Sequence, residues 1–135
     1  MQQFTWTALV TLIALIVYFI MAAAVGRARV KYNVPAPATA GDPVFERYFR
    51  VHMNTLEWLP IFLPSLWLFA AYRGDQLAAA IGGVWIVGRL LYMALYVRDP
   101  KLRSAGFGLQ ALAALWLLVG ALVSVVQSLV AASAL

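Results

Sequence analysis

Cysteine is absent from the chain, so disulfides, thiolate metal sites and a cysteine nucleophile are all excluded. One histidine, His52, is too few for a multi-histidine metal site within a single chain, and no metal is expected. Charge is scarce too: 11% of residues are Asp, Glu, Lys or Arg, against about 25% in an ordinary soluble domain. What there is leans basic, with 10 Lys and Arg against 5 Asp and Glu. The cations cluster in short segments beside apolar runs. That is the pattern of topology signals and lipid-headgroup contacts, so no nucleic-acid partner is expected.

Apolar runs fill the rest, and hydrophobic residues make up 64% of the 135 positions. Phe4 to Val25 and Ala105 to Leu135 carry no charge. Met53 to Tyr72 carries only Glu57, and Leu77 to Tyr96 only Arg89. Each run reaches the roughly 20 residues that a membrane-crossing helix needs. The expected fold is all-α: an integral membrane four-helix bundle with four transmembrane helices per protomer. Their expected positions are near residues 4–26, 44–72, 76–98 and 102–132 of a single domain covering 1–135. The first run is read as a true span, because no Lys or Arg precedes it and it outlasts the roughly 7–15 apolar residues of a signal core.

The first connection holds Arg27, Arg29, Lys31, Arg47 and Arg50, and the third holds Arg98, Lys101 and Arg103. In a four-span chain these two share a side, and their cations place it in the cytoplasm with both termini opposite. The second connection, Arg73-Gly74-Asp75, is balanced and fits only a tight hairpin. Asp42-Pro43 fits a helix N-cap with proline at the first helical position. Asp99-Pro100 should break the third helix, while Pro60 and Pro64 should bend the second. Gly82, Gly83 and Gly88 are read as permitting close helix packing rather than phosphate binding.

The segment from Phe45 to Pro60 carries charge into this apolar setting. At 100° per residue, Arg47, Arg50, Asn54 and Glu57 fall within about 80° of one another. On the third helix Trp85, Arg89, Tyr92 and Tyr96 fall within about 60°. Both stripes run toward the cytoplasmic ends of antiparallel neighbours, so they can converge on one polar, aromatic-lined pocket. A purely structural reading stands beside this one. Glu57 paired with Arg50 or Arg89 would fix helix register, and Tyr92 and Tyr96 would belong to an interfacial belt. Arg103, beyond the Pro100 break, would anchor a helix end. His52 points off the stripe, toward packing or a subunit contact.

Such a pocket offers guanidinium donors for carboxylates, a carboxylate for an ammonium group, and tyrosine and amide hydrogen bonds. Arginine favours two-point recognition of carboxylates. A small zwitterionic peptide with two carboxylates and one amine matches it, and glutathione is such a molecule. Its thiol reacts as the thiolate, which a fixed guanidinium stabilises without an exchangeable proton near neutral pH.

Phe45-Glu46-Arg47 through Asn54, Glu57 and Pro60-Ile61-Phe62-Leu63 resembles the signature segment of the MAPEG family, the membrane-associated proteins of eicosanoid and glutathione metabolism. Arg89-Leu90-Leu91-Tyr92, Tyr96 and Leu102-Arg103 match the same family in register, and the likeness covers nearly the whole chain. The resemblance implies a homotrimer with sites between protomers near the cytosolic face. There glutathione, as co-substrate, would be joined to a hydrophobic electrophile or used to reduce a lipid hydroperoxide. Residue roles are implied as well. Arg50, Glu57 and Tyr92 would hold the γ-glutamyl end, Asn54 the middle of the peptide, and Arg29 with His52 the glycine carboxylate. Tyr96 would line the site and Arg103 would stabilise the thiolate, with Arg47 and Arg89 supporting.

Three positions depart from the leukotriene synthase pattern within that family. Trp58, in the glutathione-binding segment, stands in place of a tyrosine, Val30 in place of a second arginine, and His52 in place of a glutamine. These departures point to a generic microsomal transferase or peroxidase rather than leukotriene synthesis. The alternative is a non-catalytic, lipid-binding, partner-presenting protein of the lipoxygenase-activating type. Arg103 separates the two, because the non-catalytic member does not match at this site.

Overall fold

The computed structural model describes residues 2–134. Four long helices follow one another: α1 (Thr5–Lys31), α2 (Pro43–Arg73), α3 (Asp75–Arg98) and α4 (Ser104–Ser133). Short 3-10 turns cover Gln2–Phe4 and Pro100–Leu102. Unbroken apolar sequence explains the length of these helices, and a few polar residues explain their ends. The Asp42 carboxylate accepts from the Val44 and Phe45 N–H groups while Pro43 takes the first turn of α2. Asp99 repeats the device before Pro100, accepting from the Lys101 N–H at 2.9 Å, and so separates α3 from α4. Gly74 alone joins α2 to α3, with a φ of 107° that glycine adopts without strain. The expected hairpin is there. By contrast, α1 runs on to Lys31 rather than ending near residue 26. Gly26 is a lone weak position inside good helical sequence, and Pro35 is the first residue that cannot continue it.

Asp75 fastens α1 to that hairpin. Its carboxylate accepts from the N–H groups of Trp6 at 2.9 Å and Thr7 at 2.7 Å, which the first turn of a helix otherwise leaves open. In the interior Phe62 stacks on Trp85 with ring centroids 3.9 Å apart, in one core with fully buried Leu66 and Leu117. Glycines bring α4 against α3. A Cβ on Gly88 would lie 2.7 Å from the Gln110 backbone nitrogen, and one on Gly106 would collide with the backbone of Tyr92. Gly82 is likewise closed over by Val10 and Leu66, whereas Gly83 meets nothing within 4 Å. Gly106→Ala should therefore push α3 and α4 apart and cost about 1–3 kcal/mol. Thermal unfolding in detergent checks this, and an unchanged midpoint would mean that the two helices separate freely.

The outer surface is apolar, with Phe19 73% and Leu112 69% exposed, as lipid contact requires. Among the described residues α1, α3 and the stretch Pro100–Ser133 are long and apolar enough to cross a membrane. The fourth helix differs, because α2 carries Glu46, Arg47, Arg50 and Glu57 in its first half. Its 31 residues span roughly 46 Å, well beyond the ~30 Å hydrocarbon core. The apolar half from Leu59 onward packs in the bundle, and the charged half buries Phe45, Val51 and Thr55 against α1 and α3 while its charged face stays open.

Candidate functional site

A cleft of about 660 Å³ opens where the charged half of α2 meets the end of α3. Its walls carry Arg47, Arg50 and Glu57 from α2, Tyr96 from α3, and Pro100 from the break that follows. Glu46 and Thr39 close the side formed by the first connection. Arg50 and Glu57 are exposed to it, while Tyr96 is half-buried. The two stripes meet, as helical phase predicts.

Behind the cleft lies a buried polar seam. Arg89 is fully buried, and its Nη1 and Nη2 both donate to Asn54 Oδ1, at 2.9 and 3.1 Å. Nη1 also donates to Thr55 Oγ1 at 3.2 Å. With its oxygen so held, Asn54 turns its Nδ2 toward Glu57 Oε2 at 3.4 Å. Arg89 thus engages Asn54 rather than Glu57, and fixes which end of the amide faces the cleft. The guanidinium also lies 4.6 Å from the Tyr92 ring centroid, and Tyr92 stacks on Tyr96 at 5.4 Å. Trp85, Arg89, Tyr92 and Tyr96 therefore form one column along α3.

Arg103 caps the turn before α4 and is exposed. Together with Arg50 it lies within electrostatic reach of the Tyr92 hydroxyl. Arg47 has a second employment. Its Nη1 donates to the carbonyls of Val97 at 3.2 Å and Arg98 at 3.3 Å, closing the open C-terminus of α3. Trp58 packs edge-on against Phe107 at 5.7 Å, so it joins α2 to α4 just behind Glu57.

Asn54, Trp58, Arg89, Tyr92 and Arg103 lie outside the lining of the cleft, and Arg29 and His52 are engaged away from it altogether. Arg29 donates to the carbonyls of Ala38 at 2.6 Å and Val34 at 3.4 Å and sits over the Phe45 ring, bracing the first connection. His52 stacks on Tyr18 at 4.7 Å, facing α1. Helical phase had already set His52 apart from the stripe. Nothing local marked Arg29 for the connection.

Several contributors escape the sequence reading. Thr55 is buried and accepts from Arg89, yet it lies about 80° off the edge of the stripe and looks like an ordinary helix residue. Gln110 is fully buried with both side-chain polar atoms unpartnered among the described residues. An amide in the uncharged run of α4, one of two there with Gln127, was the available signal. Phe107, against both Trp58 and Tyr92, carried none.

Residues 7–123 match the MAPEG family. An uncharacterized protein of Synechocystis sp. is 47% identical over 127 residues, covering 94% of this chain and 93% of its own. Microsomal glutathione S-transferase 2 of Homo sapiens is 44% identical over 99 residues, 73% of this chain and 67% of that protein. Leukotriene C4 synthase of Cavia porcellus is 38% identical over 112 residues, 83% and 74% respectively. A charged mouth on an apolar four-helix bundle, and a match spanning nearly all of it, lead to one conclusion: the chain belongs to the MAPEG family.

Proposed function

We propose that this membrane protein is a glutathione transferase that joins the glutathione thiolate to hydrophobic electrophiles. One observation carries the reading. The cleft gathers guanidinium groups, the carboxylates of Glu46 and Glu57 and a tyrosine from two adjoining helices, which suits a dicarboxylate bearing one amine. The family membership and the two glutathione-using relatives support it.

In this reading the γ-glutamyl end of glutathione pairs its carboxylate with Arg50 and its ammonium with Glu57, beside Tyr92. Asn54, oriented by Arg89, presents its amide to the peptide middle. Arg103 holds the thiolate, and Tyr96 lines the wall beside it. The thiolate then attacks the electrophilic carbon, the new carbon–sulfur bond forms, and the leaving group departs with its electron pair. The protein acts as a homotrimer, with Arg29 and His52 of one protomer meeting the glycine carboxylate of glutathione held next to them on another. Reduction of lipid hydroperoxides by two glutathione molecules, giving the alcohol, water and glutathione disulfide, would use the same thiolate. The site faces the cytoplasm, where the cations of the first and third connections lie.

Purified protein mixed with glutathione and a chromogenic aryl halide should form conjugate, and calorimetric titration should show glutathione binding. Folded protein that takes up no glutathione removes the proposal. Binding with no conjugation across several electrophiles would favour the non-catalytic, lipid-binding alternative.

A further inference from the structure

In the last turns of α1, Arg27 and Lys31 stand four residues apart on one stripe with Ala24. They line a recess of about 350 Å³ together with Tyr32, which caps α1, Tyr48 of α2 and Met93 of α3. None of these residues lines the cleft. Lys31 Nζ lies 5.4 Å from the Tyr32 ring centroid, so the ring holds the ammonium beside the recess.

Neither Arg27 nor Lys31 has a hydrogen bond or an ion pair among the described residues. A cation at this place commonly closes the end of its own helix, but that end is already closed. The Ala28 carbonyl accepts from the Tyr32 N–H at 2.9 Å, and the Arg29 carbonyl from the Val34 N–H at 3.0 Å. The chain offers no counter-ion either. Of its 5 acidic residues, Asp42, Glu46, Asp75 and Asp99 accept backbone N–H groups, and Glu57 accepts from the Asn54 amide. Like charges at this helical spacing repel each other, and an anion between them would relieve that. The Tyr32 and Tyr48 hydroxyls are also without a partner among the described residues.

Two cations, two phenolic donors and no carboxylate suit a compact dianion with several acceptor oxygens. We propose that this recess binds a phosphomonoester, its charged oxygens on Arg27 and Lys31 and the Tyr32 and Tyr48 hydroxyls donating to the same group. Glutathione is the poorer fit, because its ammonium would meet no carboxylate there. The site is independent of the transferase reading. Arg27 follows directly on the apolar run that ends at Val25, where a lipid headgroup and a soluble phosphomonoester can both arrive.

Native mass spectrometry near pH 8, where a phosphomonoester carries close to two charges, tests the lipid source on protein in dodecyl maltoside. Equal amounts of dioleoyl phosphatidic acid and dioleoyl phosphatidylglycerol present the same chains on a monoester and a diester. The wild type should retain phosphatidic acid about fivefold over phosphatidylglycerol, the scale of one further charge met by one cation. Calorimetric titration with glycerol 3-phosphate tests the soluble source. A preference for phosphatidic acid assigns the recess to a headgroup, and binding of glycerol 3-phosphate assigns it to a soluble ligand; either supports the proposal. Arg27→Gln combined with Lys31→Gln should abolish whichever is seen. Arg98→Gln combined with Lys101→Gln, an equal loss of charge at the same end, should leave it intact. Tyr48→Phe removes one donor and keeps the ring, so it should weaken binding about threefold, and it decides the matter if the double variant does not fold. A wild type that shows neither signal would overturn the proposal. So would a signal that survives in the Arg27 and Lys31 variant, is unchanged in Tyr48→Phe, falls equally in the Arg98 and Lys101 variant, or is displaced by glutathione.

Discussion

Arg103→Ala is expected to lower conjugation at pH 7 about 20-fold and to recover most of the loss near pH 9. An ordinary cysteine thiol titrates at about 8.5, and stabilising its thiolate by roughly 2.7 kcal/mol lowers that by about two units. At pH 7 the thiolate share then falls from about three-quarters to about 3% when the cation is removed. The sign is fixed by charge: a guanidinium favours the anion, so its loss moves the thiol upward and the rate profile toward alkaline pH. Arg103→Lys retains a positive charge and should sit between the two. The pH dependence of turnover, with the thiolate absorbance of bound glutathione, reads the effect directly. An inflection left in place by Arg103→Ala would take that residue out of the mechanism. Because Arg103 is exposed in a turn, its replacement should leave unfolding unchanged.

The other large effect lies at Arg89, where two substitutions should part company. Arg89→Ala should cost about 3–5 kcal/mol, since it leaves a cavity and strips buried Thr55 and Asn54 of their donor. Arg89→Met fills the same space, so it avoids the cavity and loses only the donor to Asn54 and Thr55, which should cost about 1–3 kcal/mol. Its unfolding midpoint should lie between those of the wild type and Arg89→Ala. Yet Asn54 Oδ1 would no longer be held, so the amide proposed to meet glutathione would turn freely. Glutathione affinity should fall about tenfold, equivalent to roughly 1.4 kcal/mol. Thermal unfolding and glutathione calorimetry on the two variants separate the roles. A stable Arg89→Met that binds glutathione like the wild type would make Arg89 a packing residue only.

The legible part of this protein is the part governed by local rules. Apolar run length marked the helices, and Asp42-Pro43 and Asp99-Pro100 marked where α2 starts and α3 stops. The two stripes could be drawn because helical phase is a property of one segment alone. The end of α1 was less legible, since a single glycine among good helix formers weakens a helix without ending it. Membrane compatibility was legible in bulk, yet α2 shares one helix between an apolar half and a charged half.

Composition, breakers and phase therefore define four rods, their lipid-compatible surfaces and the two polar faces. They are silent on how one rod is turned and raised against the next. That depends on contacts between residues far apart in the chain, such as Gly88 on Gln110 and Gly106 on Tyr92. Only those contacts set Arg89 on Asn54 instead of Glu57, turned Arg47 onto the end of α3, and sent Arg29 into the first connection. A charged side chain in an apolar bundle goes wherever the nearest acceptor is, and the nearest acceptor is decided by packing.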